Sequence, residues 1–135
     1  MKVVNYPSVV SVIFGAMFFT LCLSAEGQQP RRVVRIGYLD NGTAADSAEL
    51  LDAFRKQMTQ FDWIEGKNLT IEYRYADRNV ERLSELALEL VKLKPDVIVG
   101  SSTIGASAIK KATSTIPIVM INSADPVGNG LIASL

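Results

Sequence analysis

The chain has 135 residues, of which 48% are hydrophobic, with 14 basic and 14 acidic side chains and no histidine. The lack of histidine excludes histidine-based catalysis and most zinc sites. The zero net charge, with both signs interspersed, argues against nucleic acid or an anionic membrane surface as a partner. Cys22 is the only cysteine, so an intrachain disulfide is excluded.

The amino-terminal region has the pattern of a secretory signal peptide. Residues 9–23 are apolar, near the upper length of a signal core and shorter than the roughly 20 residues of a membrane helix. Small residues follow, which predicts a signal peptide over 1–27 with cleavage after Gly27 or, alternatively, after Ala25. An uncleaved anchor is the other interpretation, while Leu21 before Cys22 disfavours lipoprotein processing. We therefore expect an exported, periplasmic or extracytoplasmic protein whose mature part is 28–135.

Apolar runs with strand and helix periodicity alternate along the mature part. Strands are predicted at 33–39, 69–75, 97–100 and 116–121, and helices at 44–61, 80–93 and from Ser101–Thr103 to about residue 112. A further helix is expected to begin at Gly128. Strands joined by helical crossovers must be parallel, and the crossovers are right-handed. The predicted fold class is therefore α/β, with a Rossmann-like, doubly wound parallel sheet.

Open α/β sheets bind ligands at the loops that follow their strands. The loop with Ser101, Ser102 and Thr103 is the strongest candidate, because amides at a helix N-terminus favour a carboxylate or another anion. Helix capping by one of these hydroxyls explains the same residues equally well. Asp125 could accept a hydrogen bond from an amine or hydroxyl, or it could serve only as a turn residue before Pro126.

The loops after the first two strands carry weaker candidates. Asp40 and Asn41 follow the first strand, where turn formation is the slightly favoured interpretation. Tyr73 and Tyr75 could stack on a ligand, with core packing favoured for Tyr73. Trp63 lies in a loop at the opposite edge of the sheet and is expected to pack against the core.

Sequence motifs for catalysis are missing. The chain has no Gly-x-Gly-x-x-Gly after the first strand, no phosphate-binding loop with Gly-Lys-Ser/Thr, and no Gly-x-Ser-x-Gly elbow. The acidic residues show no spacing that predicts acid–base chemistry. These observations indicate binding rather than turnover, with no catalytic residues, no metal and no cofactor.

Nine segments in order resemble the extracytoplasmic substrate-binding proteins of ABC transporters, in the family that includes aromatic amino acid binders. The segments are the end of the leader near 28–30, then 35–39, 65–69, 71–74, 86–91, 94–99, 112–119, 125–127 and 130–135. The resemblance implies the first lobe of a type I periplasmic-binding-protein fold, which closes with a second lobe on a small solute and presents it to a membrane permease. On this basis the chain is an amino-terminal fragment that lacks half of the cleft.

The resemblance also implies ligand contacts by Ser101, Ser102, Thr103 and Asp125, and less directly by Asp40 and Asn41. Two departures stand out: Asp62 replaces a glycine that usual members have before an aromatic residue, and the 100–103 loop is richer in hydroxyls. The expected function is binding of a small polar or amino-acid-like solute for import. The alternatives are an extracytoplasmic sensor lobe, a small flavodoxin-like enzyme or a non-functional gene remnant.

Overall fold

A computed structural model describes residues 32–132, so the predicted signal peptide, Cys22 and the last three residues lie outside the described part. Four strands and three helices alternate along the chain. They are β1 (Val34–Asp40), α1 (Ala44–Gln60), β2 (Leu69–Tyr75), α2 (Arg82–Lys92), β3 (Val97–Gly100), α3 (Thr103–Ala112) and β4 (Ile118–Met120). No helix within 32–132 is long and apolar enough to cross a membrane.

The strands form one parallel sheet in the order β2-β1-β3-β4. This order places the first strand in the middle, because the chain moves to one side through α1 and then returns across β1 to build the other side. The predicted doubly wound α/β class is confirmed. All four strands begin at one edge of the sheet, here called the amino edge, and end at the other, the carboxyl edge.

Alternating side chains divide the core between the two faces of the sheet. Leu39 and Ile98 project towards α2 and α3, where they are fully buried with Leu90 and Ile109. Ile36, Tyr38 and Ile71 project to the other face, where Leu51 of α1 covers them. Trp63 also packs against this second group, from the loop at the amino edge, as predicted.

Local signals explain where the helices begin and end. Thr43 and Asp46 form a capping box at the start of α1, with each side chain bonding the other residue's backbone N–H. At its end, Trp63 N–H donates to the Met58 carbonyl and Asp62 adopts a left-handed φ of 63°, which is a Schellman-type stop. Glycine suits this position, so the unusual residue at 62 has a visible conformational cost.

The segment after β4 differs from its prediction. A helix was expected from Gly128, but residues 126–130 form turns, with Leu131 N–H bonded to the Pro126 carbonyl at 2.8 Å. Gly130 has a left-handed φ of 66°, which interrupts helical geometry. Two glycines within three residues lower helix propensity enough to outweigh the apolar spacing. β4 is also shorter than the predicted 116–121 strand.

Candidate functional site

The carboxyl edge contains a crevice where the chain reverses direction. α1 follows β1 on one face of the sheet, and α3 follows the neighbouring β3 on the other face, so the two loops diverge between adjacent strands. Ser101 N–H donates to the Leu39 carbonyl at 3.0 Å, which holds the loops together at their base. Such a switch point is where open α/β sheets accommodate ligands.

The N-terminus of α1 is already occupied by side chains of the protein. The Asp46 carboxylate accepts from Thr43 N–H at 3.0 Å and also pairs with Arg78, whose Nη2 lies 3.0 Å from each carboxylate oxygen. An incoming anion would have to displace this carboxylate. The first loop is therefore a poor phosphate or carboxylate site.

The N-terminus of α3 is more open. Ser102 is the N-cap, and its hydroxyl accepts from Gly105 N–H at 3.1 Å, so capping explains this side chain. The amides of Thr103 and Ile104 lie in the first turn, where a helix provides no backbone acceptor. Their N–H groups and the helix dipole favour a bound anion at this position.

Ser101 lies immediately before this turn and is only 8% exposed. Its hydroxyl lowers the pKa of both Tyr38 and Asp40, so it lies beside that pair. The Ser101 oxygen nevertheless has no partner of hydrogen-bond geometry within the described chain. A buried hydroxyl without a partner costs about 1–3 kcal/mol, and native proteins keep few of them.

Asp40 ends β1 on the same face of the sheet. Its carboxylate accepts from the hydroxyls of Tyr38, at 2.9 Å, and Ser47, and from Gly42 N–H at 2.7 Å. Burial alone would raise the pKa of Asp40, but the hydrogen bonds from Ser47 and Gly42 outweigh it and hold the pKa below its usual value. Burial raises the pKa of Tyr38 to about 12. Asp40 is therefore an ionised anchor for the first loop.

Asn41 is the second polar residue after β1. Its backbone carbonyl accepts from Arg78 N–H at 2.7 Å, which ties the first loop to the loop after β2. Its side-chain Oδ1 is buried and has no partner among residues 32–132. The loops after β1 and β3 thus each present one buried side-chain oxygen that finds no hydrogen bond in the part of the chain that the structure describes.

The loop after β4 is fastened to α3 by Thr103. The Thr103 hydroxyl accepts from Ala124 N–H at 3.1 Å and lies 3.3 Å from the Ser123 hydroxyl. Asp125 is exposed, adopts a left-handed φ of 43°, and accepts from Gly128 N–H at 2.9 Å through Oδ1. Its observed role is the turn that sequence analysis gave as the alternative, and its second oxygen has no hydrogen bond within the described range.

Aromatic rings line the α1 side of the crevice. Tyr73 and Tyr75 stack with ring centroids 6.4 Å apart, and Tyr38 meets Tyr73 edge-on at 5.9 Å. Tyr73 packs into the core, as favoured, and bonds to Arg55 at 2.9 Å. Tyr75 is half-buried at the end of β2, so it is the ring nearest the carboxyl edge.

Sequence reasoning missed Tyr38, Ser47 and Arg78, the residues that hold Asp40 and Asp46 in place. Tyr38 and Asp40 are two apart on β1, a spacing that puts both on one face. Ser47, in the first turn of the following helix, had no comparable signal, because its contact depends on how α1 approaches the sheet.

Below this edge, an apolar cavity of about 520 Å³ separates α1 from β3 and β4. Its walls include Phe54 from the helix and Val99, Val119 and Ile121 from the strands, and Tyr38 and Asn122 also contribute.

Potential metal ligands do not cluster in groups of three or more anywhere in 32–132. The arrangement can bind a small polar molecule by hydrogen bonds and dipoles.

A family model described as ABC transporter substrate binding protein matches residues 45–135. The chain belongs to this family. It is 26% identical over 138 residues to a protein named "Tyrosine-binding protein" from Clostridioides difficile (strain R20291), covering 94% of this chain and 39% of that protein.

Solved structures agree with the family assignment. A conserved domain protein from Vibrio cholerae aligns with a TM-score of 0.72 and 30% identity, over 77% of this chain and 35% of that one. The ligand-free, open structure of a substrate binding protein with adhesive properties from Clostridium difficile aligns with a TM-score of 0.70 and 27% identity, over 76% and 35%. The chain spans between about a third and two fifths of the length of these relatives, which is consistent with one lobe of a periplasmic-binding-protein fold.

Proposed function

We propose that this chain is part of the extracytoplasmic solute-binding component of an ABC import system, which binds a small polar or amino-acid-like solute and delivers it to an inner-membrane permease. The leader at 1–27 would export it. One observation carries the proposal: the open first turn of α3 lies next to the buried hydroxyl of Ser101 at the carboxyl edge, which has no hydrogen-bond partner among residues 32–132. This is the combination of free donors and unsatisfied polarity that a ligand would complete.

Within this site, we assign the solute's anionic group to the amides of Thr103 and Ile104, with the hydroxyl groups of the 101–103 loop around it. Ser102 supports the site as the helix cap, and Thr103 orients the loop after β4. Asp125 contributes through its second oxygen and through the turn that it forms. Asp40 and Asn41 form the wall on the β1 side.

The leading enzymatic alternative finds little support. A flavodoxin-like enzyme would bind phosphate in the first loop, where Asp40 is ionised and Asp46 already fills the N-terminus of α1. The family is one of binding proteins. A sensor lobe would use the same site, so it differs from a transport component in its partner rather than in its chemistry.

Titration followed by two-dimensional NMR tests the proposal. L-Tyrosine is the first probe, because a relative carries the name of a tyrosine-binding protein. We expect saturable shifts of the amide signals of residues 101–104 and 40–42, with the signals of 62–66 at the amino edge as the internal control. If neither L-tyrosine nor any other member of a panel of amino acids and small polar solutes shifts these signals, solute binding by this lobe is refuted.

A further inference from the structure

We propose that the amino edge of the sheet is a docking surface for an anionic phospholipid bilayer. The inference goes beyond the proposed function, since it concerns the edge opposite the crevice and does not depend on solute binding. Exposed cations and an exposed apolar loop share this edge, and the chain enters the fold there. The surface is called the amino-edge patch below and consists of Arg35, Lys67, Lys92, Lys94 and Lys111 together with Phe61 and Ile64.

The zero net charge of the chain conceals a separation of charge between the two edges of the sheet. The cations of the patch are exposed, form no ion pair within 32–132, and lie at strand starts, at helix ends or in the loops between them. Acids without such a pair are found mainly at or near the carboxyl edge, and they include Asp40, Glu81, Glu85 and Asp125. The two signs alternate along the sequence, but the fold sorts them in space.

The acids of the amino edge leave its positive charge largely uncompensated. Glu65 pairs with Arg55 at 2.9 Å, and Asp96 pairs with Arg32. Asp62 is the exception at this edge, because it forms no ion pair in the described part of the chain. The edge is therefore locally basic although the whole chain is neutral.

Helix dipoles account for only part of this basic character. α2 and α3 end at the amino edge, where Lys92 and Lys111 lie in the last turns and complement the partial negative charge of each helix terminus. The same argument does not apply to Arg35, the second residue of β1, or to Lys67, which lies in the loop before β2. An anionic partner explains these two cations better.

The loop between α1 and β2 adds apolar side chains to the same edge. Phe61 is 70% exposed and Ile64 is 38% exposed. Asn68 fixes the shape of this loop, since its Nδ2 donates to the Asp62 carbonyl and its Oδ1 accepts from Ile64 N–H, each at 2.7 Å. The loop thus presents an aromatic ring to solvent from a hydrogen-bonded conformation.

The combination of aromatic and basic side chains favours a lipid surface over a soluble polyanion. Surfaces that lie on membranes place lysine and arginine among the head groups and apolar rings at the acyl boundary, whereas a soluble polyanion needs only the cations. The chain also enters the fold at this edge, where Arg32 pairs with Asp96 just before β1. Residues 24–33 can span at most roughly 35 Å, so a leader engaged by the membrane would keep the patch within that distance of the lipid.

Co-sedimentation of the full chain with vesicles tests the charged part of the patch. The vesicles contain phosphatidylglycerol and phosphatidylcholine in equal parts, with pure phosphatidylcholine vesicles as the reference. We expect Lys92→Gln/Lys94→Gln to weaken binding to the anionic vesicles at least about tenfold, because each cation near such a surface contributes about fivefold. Binding to the neutral vesicles should change less than about twofold. The leader is the same in every variant, so its own affinity for lipid cancels in the comparison.

Arg78→Gln/Arg82→Gln is the matched control, because it removes the same charge from the carboxyl edge. It should preserve the affinity for the anionic vesicles within about twofold, since those positions lie beyond the Debye length of about 10 Å from a bilayer that contacts the patch. Equal losses in the two double variants would show that net charge alone attracts the chain, which overturns the patch.

Phe61→Ser tests the apolar part. It should weaken binding to the anionic vesicles about tenfold, since burial of a phenylalanine ring is worth at least that factor. Val80→Ser is its control, because Val80 is 55% exposed just before α2, on the carboxyl side of the molecule, and should not contribute. If Phe61→Ser keeps full affinity, the patch is a general polyanion site and the assignment to lipid falls. If it instead abolishes self-association in sedimentation velocity and leaves vesicle binding intact, a second copy covers the loop, which also overturns the inference.

Stability and salt complete the test. The substituted side chains are exposed, so all variants should keep the urea midpoint of the wild type, and a loss of lipid affinity then cannot be ascribed to unfolding. Raising the salt concentration to 1 M shortens the Debye length to about 3 Å and should remove the preference for anionic vesicles. A preference that persists in 1 M salt overturns the electrostatic argument. None of these outcomes bears on the solute titration, so the patch and the proposed function fail independently.

Discussion

Asp40 is a half-buried acid that is both firmly held and ionised. Its carboxylate accepts hydrogen bonds from Tyr38, Ser47 and Gly42. Because these donors are neutral, they do not cancel its negative charge. An arginine in place of these donors would also have anchored the loop, but its positive charge would have neutralised the negative charge of Asp40. Asp40 therefore positions the first loop while its negative charge has no cationic partner within residues 32–132.

The pH dependence of stability should carry the signature of this pair. The pKa of Asp40 lies below its usual value of 3.8, so the stability that it contributes is present above pH 3.8 and lost as the pH falls further. The pKa of Tyr38 is raised from 10.0 to about 12, so its contribution is present below pH 10 and lost as the pH rises towards 12. Urea midpoints across this range would measure both limits.

Tyr38→Phe is the informative comparison in that experiment. Without the phenol, the part of the alkaline loss that comes from residue 38 should disappear, so the curve of the variant should fall less steeply between pH 10 and 12. Identical slopes for the variant and the wild type would assign the alkaline loss to other tyrosines.

Asp62 offers a gain in stability. It occupies the left-handed position after α1, with a φ of 63°, where glycine has no steric cost. We expect Asp62→Gly to raise the free energy of unfolding by about 0.5–1 kcal/mol, and Asp62→Ala to lower it. Thermal unfolding of the three proteins would check the order, and a loss of stability in the glycine variant would contradict the conformational argument.

Individual side-chain contacts were the least predictable part of the site. Asp40, Asn41 and Ser101 were found from their position after buried strands, which is a property of the chain alone. Which of their oxygens would be satisfied depended on distant partners: Ser47 reaches Asp40, whereas nothing in the described chain reaches Asn41 Oδ1. Satisfaction of a polar atom is a tertiary property, so a single sequence does not reveal it.

At the scale of elements, the packing of α3 against β3 depends on one glycine. A β-carbon on Gly100 would lie 3.0 Å from both the backbone nitrogen and the Cα of Ala106, and 3.1 Å from Ile109 Cδ1. The first turn of α3, which carries the proposed anion site, can approach the strand only because this β-carbon is missing.

Gly100→Ala should therefore lower the free energy of unfolding by about 1–3 kcal/mol and weaken ligand binding, since α3 must move as a unit. Gly37→Ala is the control: its β-carbon would meet only side-chain atoms of Ile98 and Leu90, at 3.3 Å and beyond. Urea denaturation would compare the two. A Gly100→Ala cost no larger than that of Gly37→Ala would show that the helix backbone is not limiting.

The boundaries of helices and strands were predicted most accurately where the local sequence signals are strongest. β2 and β3 were predicted at their observed ends, where alternation or a turn residue marks each boundary. The helix expected from Gly128 does not form within 128–132, because Gly128 and Gly130 lower helix propensity more than the apolar spacing favours it. β4 was predicted too long at both ends: strand pairing with β3 spans Ile118–Met120, although Ile121 N–H still donates to the Gly100 carbonyl at 3.0 Å.

The whole molecule has an asymmetric sheet. The face under α2 and α3 is closed, with Leu39, Ile98 and Ile109 fully buried, while the face under α1 retains a cavity and β4 ends the sheet without a further strand in the described chain. The α/β class was predictable because segments with strand periodicity and segments with helix periodicity alternate along the chain, and few topologies fit that order. The cavity under α1 was not predictable, since it depends on how much of the sheet each helix covers.

A substitution at Val119 tests whether the β4 edge of the sheet promotes self-association. It is 47% exposed on β4, the edge strand, where an apolar side chain and unpaired backbone groups favour association. Val119→Lys should raise the concentration needed for self-association of the 135-residue chain by about tenfold, while leaving the urea midpoint nearly unchanged. Sedimentation velocity would measure the association, and an unchanged concentration dependence would exclude the β4 edge as its cause.

The position of Trp63 has a practical consequence. It is the only tryptophan, and it packs half-buried at the amino edge, roughly 20 Å from the carboxyl edge if β1 is taken at its full length. Indole fluorescence should therefore report unfolding and stay silent during ligand titration, while tyrosine absorbance near 38 and 75 responds to the crevice. One protein sample thus provides two optical channels, and a ligand that changes the indole emission would reveal motion transmitted along the strands.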